Sequence, residues 1–309
     1  MDRAFVTCVI TSYKREKRIV KRALDSILDQ TYQDFDIIIV DDNRGEGSEI
    51  LSSSLLELKE CDDRIQVIKT EGGHGAQHAR NTGIRHSTGK YVAFLDDDDE
   101  WMKEKLMKQV RALEEKTDCG MCYTDGYRVF DNAPGKRELK YGDTFNEALT
   151  FRELLHEDRI GTTSQALIRR TVFDKVGMFD TNMPARQDYE MWLRISREYP
   201  ICGINEGLYL YHLNSDEGKI TRDWRKNVRA HLLLSGKYRD DIRGDRDAEF
   251  NVLFHIAHYY RLGAKKEKDK KLEYLGKSFI YYIRSFLSSP SYFYKQAGYK
   301  IDMIRKKRK

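Results

Sequence analysis

Asp96, Asp97, Asp98 and Asp99 follow the apolar run YVAFL without interruption. Neighbouring carboxylates raise one another's pKa, so such a row is costly unless a cation sits among them. A hard divalent cation, Mn²⁺ or Mg²⁺, takes oxygen ligands and is commonly held by one or two carboxylates while substrate phosphates complete its shell. Alternation along an extended strand directs Asp96 and Asp98 to one side and Asp97 to the other, so Asp96 and Asp98 are the expected pair on one site. The plainer alternative is a solvated acidic turn ahead of a helix starting near Trp101. The position of the row at the end of a strand, beside two other polar strand ends, favours the site.

The stretch EGGHGAQHARNTGI is a second group with chemical potential. Its glycines let backbone approach a ligand closely, and Arg80 followed by Asn81 suits a phosphate or a nucleoside. It matches neither G-x-x-x-x-G-K-[ST] nor G-x-G-x-x-G, which removes the usual support for a kinase, an ATPase or a Rossmann dehydrogenase. Read alone, it is a turn leading into a helix. Asp188 stands in the first turn of QDYEMWLRISREYP and by itself reads as a helix N-cap. The 5 cysteines include one close pair, Cys119 and Cys122, with no second pair and no nearby His, so reduced structural thiols are expected.

These groups need elements to position them. FVTCVIT, DIIIV, IQVI and YVAFL read as strands, separated by helical segments. In the first of these helices Ile19, Ala23, Leu24, Ile27 and Leu28 fall on one face; the last ends near His86. Apolar strands alternating with helices predict a parallel sheet covered on both faces, with ligands beyond the carboxyl ends of the strands. TSYKR, DDNRG and DDDDE lie at those ends. Past Met102 the pattern predicts a helix from Lys103 to about Lys116, a strand at MCYTD and an aperiodic stretch from Gly126 to Glu147. A strand in TSQALIRR, a short helix closed by Gly177, the Asp188 helix and a strand at LYLYHL complete this part.

The 309 residues are 40% hydrophobic and 34% charged, a balance that suits a soluble protein. No apolar run reaches the ~20 residues that cross a bilayer, and MDRAFVTCVITSYKRE lacks a secretory pattern, so a cytoplasmic location is expected. From Arg261 to Lys309 there are 15 Lys plus Arg against 4 Asp plus Glu, a net of +11, which leaves −6 for the remainder of a chain carrying +5. The acidic body speaks against nucleic acid as a partner, and the basic end needs its own explanation. AEFNVLFHIAHYYRLG and LEYLGKSFIYYIRSFL are too apolar for free exposure. Packing on the preceding domain is the plainer expectation. The alternative is an amphipathic element on an anionic membrane surface, which would place the protein at the inner face of the plasma membrane.

Five stretches in order, VITSYKR, FDIIIVDDN, GAQHARNTGI, GKYVAFLDDDDEW and GMFDTNMPARQDYEMWLRI, resemble the family 2 glycosyltransferases with the GT-A fold. The resemblance runs from about Phe5 to Leu213. It implies an α/β fold with a mostly parallel central sheet flanked by helices, and a catalytic domain over residues 1–221. Residues 1–101 would be its nucleotide-binding half and 102–221 its acceptor half, with a basic helical extension over 222–309. It implies that Thr11, Tyr13 and Asp42, with Asp41 beside it, hold the nucleotide base. Arg80 matches a position that contacts the nucleotide, and Asn81 supports the same loop. The D-x-D motif falls on Asp96, Asp97 and Asp98: Asp96 or Asp97 reaches the ribose and Asp98 the metal, with a one-residue slip possible among four contiguous acids. Asp99 matches the acid that commonly follows. The catalytic base is Asp188, although Gln187 stands where the family has Glu. Trp192 and Arg194 pack and anchor. His212 lies where many members place a group near the metal or the pyrophosphate, and a simple loop histidine is the equal alternative.

The reaction implied by the resemblance is an inverting transfer from a nucleotide-diphosphate sugar, UDP-linked by expectation, to a hydroxyl of a glycan or lipid-linked acceptor. Mn²⁺ or Mg²⁺ would neutralise the departing diphosphate while Asp188 deprotonates the acceptor. Two alternatives stay open. A sugar-phosphate nucleotidyltransferase would want a glycine- and basic-rich loop after the first strand, and ITSYKREKR has no glycine. A catalytically silent nucleotide-sugar or glycan-binding subunit would dispense with Asp188.

Overall fold

The apolar runs become the centre of a ten-stranded sheet in the computed structural model, which describes residues 5–70, 73–130, 135–213 and 223–294. The first half alternates β1 (Val6–Ser12), α1 (Lys17–Leu28), β2 (Phe35–Asp41), α2 (Ser48–Leu56), β3 (Ile65–Lys69), α3 (Ala76–His86) and β4 (Tyr91–Asp96). These four strands run parallel in the order β3-β2-β1-β4. Their side chains have few polar alternations because both faces are covered. Val6, Cys8 and Ile10 join Val20, Ala23, Leu24 and Ile27 of α1 in one core. The buried edge of α1 therefore runs through Val20, while Ile19 is only half-buried. Register sets Thr11 beside both Val40 and Asp96, and Ser12 beside Asp41, so the polar strand ends lie in one row.

The second half departs from a simple parallel sheet. β5 (Glu100–Trp101), α4 (Lys105–Glu115), β6 (Met121–Phe130), β7 (Arg137–Leu139), β8 (Ala148–Leu149) and α5 (Phe151–His156) come next. After them come β9 (Ala166–Arg169), α6 (Arg170–Val176), α7 (Gln187–Glu198) and β10 (Ile201–Leu213). β9 is antiparallel to β4 and to β6, whereas β10 is parallel to β6 and antiparallel to β5. The pairing of β10 with β6 slips on either side of Gly207, where a Cβ would stand 2.3 Å from the Tyr127 ring. Glycine is required there so that the ring can cross the strand. The aperiodic stretch from Gly126 to Glu147 holds the end of β6, then β7 and a short turn. Cys122 and Cys202 are neighbours in the β6–β10 register, and hydrogen bonds with the Cys122 and Cys119 thiols hold Cys202 down to about 7. All 5 cysteines are free.

Beyond these, α8 (Trp224–Lys237), α9 (Arg239–Arg243), α10 (Arg246–Lys266) and α11 (Lys271–Ser288) form a helical unit. The chain divides into one unit of 1–151, 159–181 and 187–215, and a second of 152–158, 182–186 and 216–309. The second unit thus reclaims two short inserts, a division finer than a cut near residue 221. Its own contacts show why: Arg152 and His156 both reach Asp245, at 2.6 and 2.8 Å, and Arg186 donates to the Tyr259 hydroxyl at 2.8 Å. Asp223 and Asp245 cap α8 and α10 by accepting from backbone N–H groups of their first turns. Ser278 and Ser285 tie α11 to α10 by donating to the carbonyls of Ala257 and Phe250. Among the described residues no helix is long and apolar enough to cross a membrane.

Candidate active site

β4 ends at Asp96, and the chain turns at once, with the Asp99 N–H donating to the Asp96 carbonyl at 3.0 Å. The strand alternation that would pair Asp96 with Asp98 stops there. Asp97 and Asp98 converge instead, both on Arg15, at 3.0 and 3.3 Å. Asp96 turns to Arg80 at 2.8 Å and to the hydroxyls of Thr162 and Thr163. Asp99 accepts from the Ser164 hydroxyl at 2.6 Å. Asp96 and Asp99 therefore have partners of their own while Asp97 and Asp98 share one guanidinium, which is how the protein sustains four adjacent carboxylates.

The compensation is uneven. Burial pushes Asp96 up, but the charge of Arg80 and the hydrogen bonds from Arg80, Thr162 and Thr163 outweigh it and hold the carboxyl below its ordinary value. At Asp97, burial and the charges of Asp98 and Asp96 prevail over Arg15 and push the group up to about 7. The Asp97 and Asp98 oxygens form a hard donor pair of the kind that holds Mn²⁺ or Mg²⁺ when phosphates fill the remaining positions. Among the described residues no group of three His, Cys, Asp or Glu side chains could hold a metal ion by itself. The residues fit a cation shared with a substrate diphosphate, since added positive charge would relieve Asp97.

A second cluster lies at the ends of β1 and β2. The Asp42 N–H donates to the Ser12 carbonyl at 2.9 Å, and the Lys14 N–H to Asn43 Oδ1 at 2.6 Å, which locks the two strand ends together. Asp41 is turned inward to its own loop, accepting from the Asn43 N–H at 2.9 Å. Asp42 Oδ2 accepts from Arg44 and from the Gly75 N–H, each at 3.0 Å. Ser12 Oγ, Asp42 Oδ1 and Asn43 Nδ2 are buried without a hydrogen-bond partner among the described residues. Asp42 Oδ1 lies 3.7 Å from His74 Nδ1, beyond hydrogen-bond reach, and buried polar atoms of this kind are expensive unless a polar ligand completes them. Beside them the Tyr13 ring is 42% exposed and carries the Arg44 guanidinium 4.6 Å from its centroid. Thr11 is half-buried at the same strand end.

Arg80 stands on α3 facing the acid turn, and its Nε is buried without a partner among the described residues. Asn81 is committed elsewhere: its amide donates to the Phe179 carbonyl and accepts from the Phe179 N–H, both at 2.9 Å. It holds the Arg80 helix in place against Phe179.

Asp188 lies in the first turn of α7, half-buried, with Oδ1 accepting from the Tyr189 N–H at 2.8 Å. Arg186, just before, has φ 59, a left-handed turn that brings the helix in. Behind Asp188, Trp192 is fully buried and donates to the Gly161 carbonyl. Arg194 grips Glu190 and the carbonyls of Val176, Gly177 and Met178. On β10, burial and then the charges of Asp99, Asp96, Asp98 and Asp188 raise the Tyr211 hydroxyl to about 12. His212 donates through its Nε2–H to the Glu100 carboxylate, 2.6 Å away. Arg22 sits 3.4 Å from the same Glu100 oxygen and donates to the Asp98 carbonyl. His212 is therefore tied to the acid turn through Glu100 and Arg22.

Sequence reasoning missed Arg15, Arg22, Tyr211 and the run Thr162–Ser164. The last had a signal: GTTS, a glycine and three hydroxyls ahead of a strand, is a local turn pattern whose free hydroxyls must go somewhere. Gly161 there has φ 87, and its carbonyl receives the Trp192 indole.

An α/β sheet with a polar cluster at the ends of β1 and β2 and an acid turn after β4 has the layout of the GT-A fold. Residues 7–177 match glycosyl transferase family 2, and the chain belongs to that family and is a glycosyltransferase. The putative teichuronic acid biosynthesis glycosyltransferase TuaG of Bacillus subtilis is 32% identical over 208 residues, covering 66% of this chain and 78% of its own. The Escherichia coli UDP-Glc:alpha-D-GlcNAc-diphosphoundecaprenol beta-1,3-glucosyltransferase WfgD is 26% identical over 266 residues, 86% of this chain and 96% of its own. Among solved structures, a mannosyltransferase of Pyrobaculum calidifontis in complex with GDP-Man and Mn²⁺ shares the fold with TM-score 0.60 and 16% identity, over 94% of this chain and 88% of its own. S. aureus TarS in complex with UDP-GlcNAc does so with TM-score 0.57 and 13% identity, over 94% and 92%.

Proposed function

We propose that this chain is an inverting, metal-assisted glycosyltransferase that moves a sugar from a UDP-sugar to a hydroxyl of a glycan or lipid-linked acceptor in surface polysaccharide synthesis. The observation that carries the donor assignment is the set of unsatisfied buried atoms at Ser12, Asp42 and Asn43. An acceptor at Asp42 Oδ1 and a donor at Asn43 Nδ2 complement the imide edge of uracil, which offers one N–H between two carbonyls. Tyr13 supplies a stacking face beside them, while Thr11 and Asp41 shape the strand ends. WfgD is named for UDP-Glc and a diphosphoundecaprenol acceptor, and TarS binds UDP-GlcNAc, which agrees with this reading.

In the reaction so assigned, Arg80 and Asp96 orient the ribose and the phosphates. Asp97 and Asp98 would hold Mn²⁺ or Mg²⁺, which supplies Lewis-acid stabilisation of the diphosphate. Asp188 takes the proton from the acceptor hydroxyl as its oxygen forms a bond to the anomeric carbon. The bond from that carbon to the diphosphate oxygen breaks on the opposite face, and the nucleoside diphosphate leaves with the electron pair. No second carboxyl is needed as acid, because the leaving group is already a stabilised phosphate. Residues 1–215 would carry this chemistry, with the N-terminal half on the donor and the rest on the acceptor.

Calorimetric titration of UDP with and without Mn²⁺, on the wild type and on Asp98→Ala, tests the reading. Metal-dependent binding that is lost in the variant is the expected result. No binding of UDP in either condition, with binding of GDP or dTDP instead, overturns the UDP assignment. Asp188→Asn should retain UDP binding while losing transfer.

A further inference from the structure

α11 turns Tyr274, Ser278 and Ser285 inward and leaves most of its large apolar side chains on the opposite face, where, among the described residues, only Phe286 meets other rings, those of Phe293 and Tyr294. Tyr274, Ser278 and Ser285 are buried against α10. Leu272, Leu275, Phe279, Ile280, Ile283, Phe286 and Leu287 are all exposed, from 36% at Phe286 to 85% at Leu272. At 100° per residue these seven positions fall within one arc of about 140°, a continuous apolar stripe along about four helical turns. Elsewhere the exposed large hydrophobics are scattered singly or in pairs, as on most soluble proteins. A stripe of this extent marks a surface that is covered in use.

We infer that the outer face of α11 docks the protein onto an anionic lipid bilayer. The stripe has a mostly basic border: Arg284 and Lys277, the latter paired with Glu273 at 2.7 Å, lie on one flank of the helix and Lys271 on the other, with Lys268 and Lys270 in the turn before it. The sequence that follows Tyr294 carries 7 Lys plus Arg against one Asp. An interfacial helix that buries an apolar face at the headgroup boundary while basic side chains meet anionic lipid has this layout. Phe279, Phe286 and Tyr294 are aromatic side chains of the kind enriched at that boundary. Charge decides against a second copy as the occupant. A two-fold contact through this face would bring two helical stretches together whose residues 261–294 each carry a net +5, and like charge across an interface is penalised. The inference deepens the reading of a lipid-linked acceptor, since it places the enzyme where such an acceptor lies, but its own ground is the α11 face.

Flotation of the full chain with vesicles provides the test, comparing phosphatidylcholine alone with phosphatidylcholine containing about thirty per cent phosphatidylglycerol. The wild type should float with the anionic vesicles, less so in high salt, and weakly with the zwitterionic ones. Phe279→Glu combined with Leu287→Glu should reduce the partition on the order of 100-fold, about tenfold for each apolar side chain withdrawn from lipid. Both positions are exposed, so the melting temperature and UDP titration of the double variant should match the wild type. Phe279→Trp should retain binding and show a blue-shifted emission on anionic vesicles. Failure of the wild type to bind anionic vesicles, or equal binding by the double Glu variant, overturns the proposal. Self-association that the Glu pair abolishes would make the occupant a second copy. Vesicle binding that appears only after removal of residues 295–309 would make the occupant that segment. UDP binding is unaffected by any of these results, so the donor-site reading stands or falls apart from this one.

Discussion

Lys105 lies in the first turn of α4 with 0% exposure, its ammonium 2.7 Å from Gln109 Oε1 and 4.1 Å from the centroid of the Trp101 ring. Burial lowers its pKa from 10.5 to about 7, against small opposing effects of Cys8 and Cys122. Both of those thiols are themselves pushed up by burial, so neither supplies a thiolate to pair with it near neutrality. The sign comes from proton counts. Above the folded value the unfolded chain still binds a proton that the folded chain has released, so stability rises with pH until the unfolded value is reached. With folded and unfolded values of about 7 and 10.5, raising the pH from about 7 to about 9 should add about 2 kcal/mol from this group alone. The Trp101 face favours the charged form, which makes that an upper figure. Lys105→Met removes the titration and also strands Gln109 Oε1, at a pH-independent cost of about 1 to 3 kcal/mol. Urea denaturation of both proteins at the two pH values isolates the effect. The stability difference between them should move by about 2 kcal/mol in favour of the wild type as pH rises, whatever its absolute size. A difference that does not change with pH would refute the argument and show that Lys105 stays charged in the fold.

Other expectations are more local. Asn81→Ala should lower stability by about 2 to 4 kcal/mol, since it leaves the buried Phe179 N–H and carbonyl without partners, and calorimetric melting would register it. Ser164→Ala removes the donor to Asp99 and the acceptor for the Asp96 N–H. It should cost about 2 kcal/mol and weaken UDP binding in the same titration. Arg15→Gln should impair metal-dependent UDP binding, because Asp97 and Asp98 lose the guanidinium on which they converge; unchanged binding would remove Arg15 from the site. In the native protein Cys61 should react rapidly with an aromatic disulfide reagent, while Cys8, Cys119, Cys122 and Cys202 should wait for unfolding.

Much of the frame was legible because it rests on short-range pattern. The four apolar runs without polar alternation could only be strands covered on both faces, and their polar ends then had to share one edge of the sheet. The family resemblance drew on the same ends, and family membership rests on the match over residues 7–177. The glycine at 177, with φ 79, ends α6 as its place after a helical run requires.

The sequence by itself therefore determined the alternation of strands and helices in the first half, the location of the acid row at a strand end, and the stock of residues available to a site. The tertiary structure alone decided which of them meet. Strand alternation pointed to Asp96 with Asp98, but the turn at Asp99 ended the alternation and gave Arg15 to Asp97 and Asp98. Arg15 is 82 residues from Asp97, and Thr162 is 66 from Asp96; only the β1–β4 and β4–β9 pairings bring them into reach. The same holds for α11, whose periodicity allows two apolar faces but does not say that α10 takes the one with Ser278 and Ser285. Local periodicity constrains a side chain's direction relative to its own backbone. Its partner depends on where distant strands and helices have been placed.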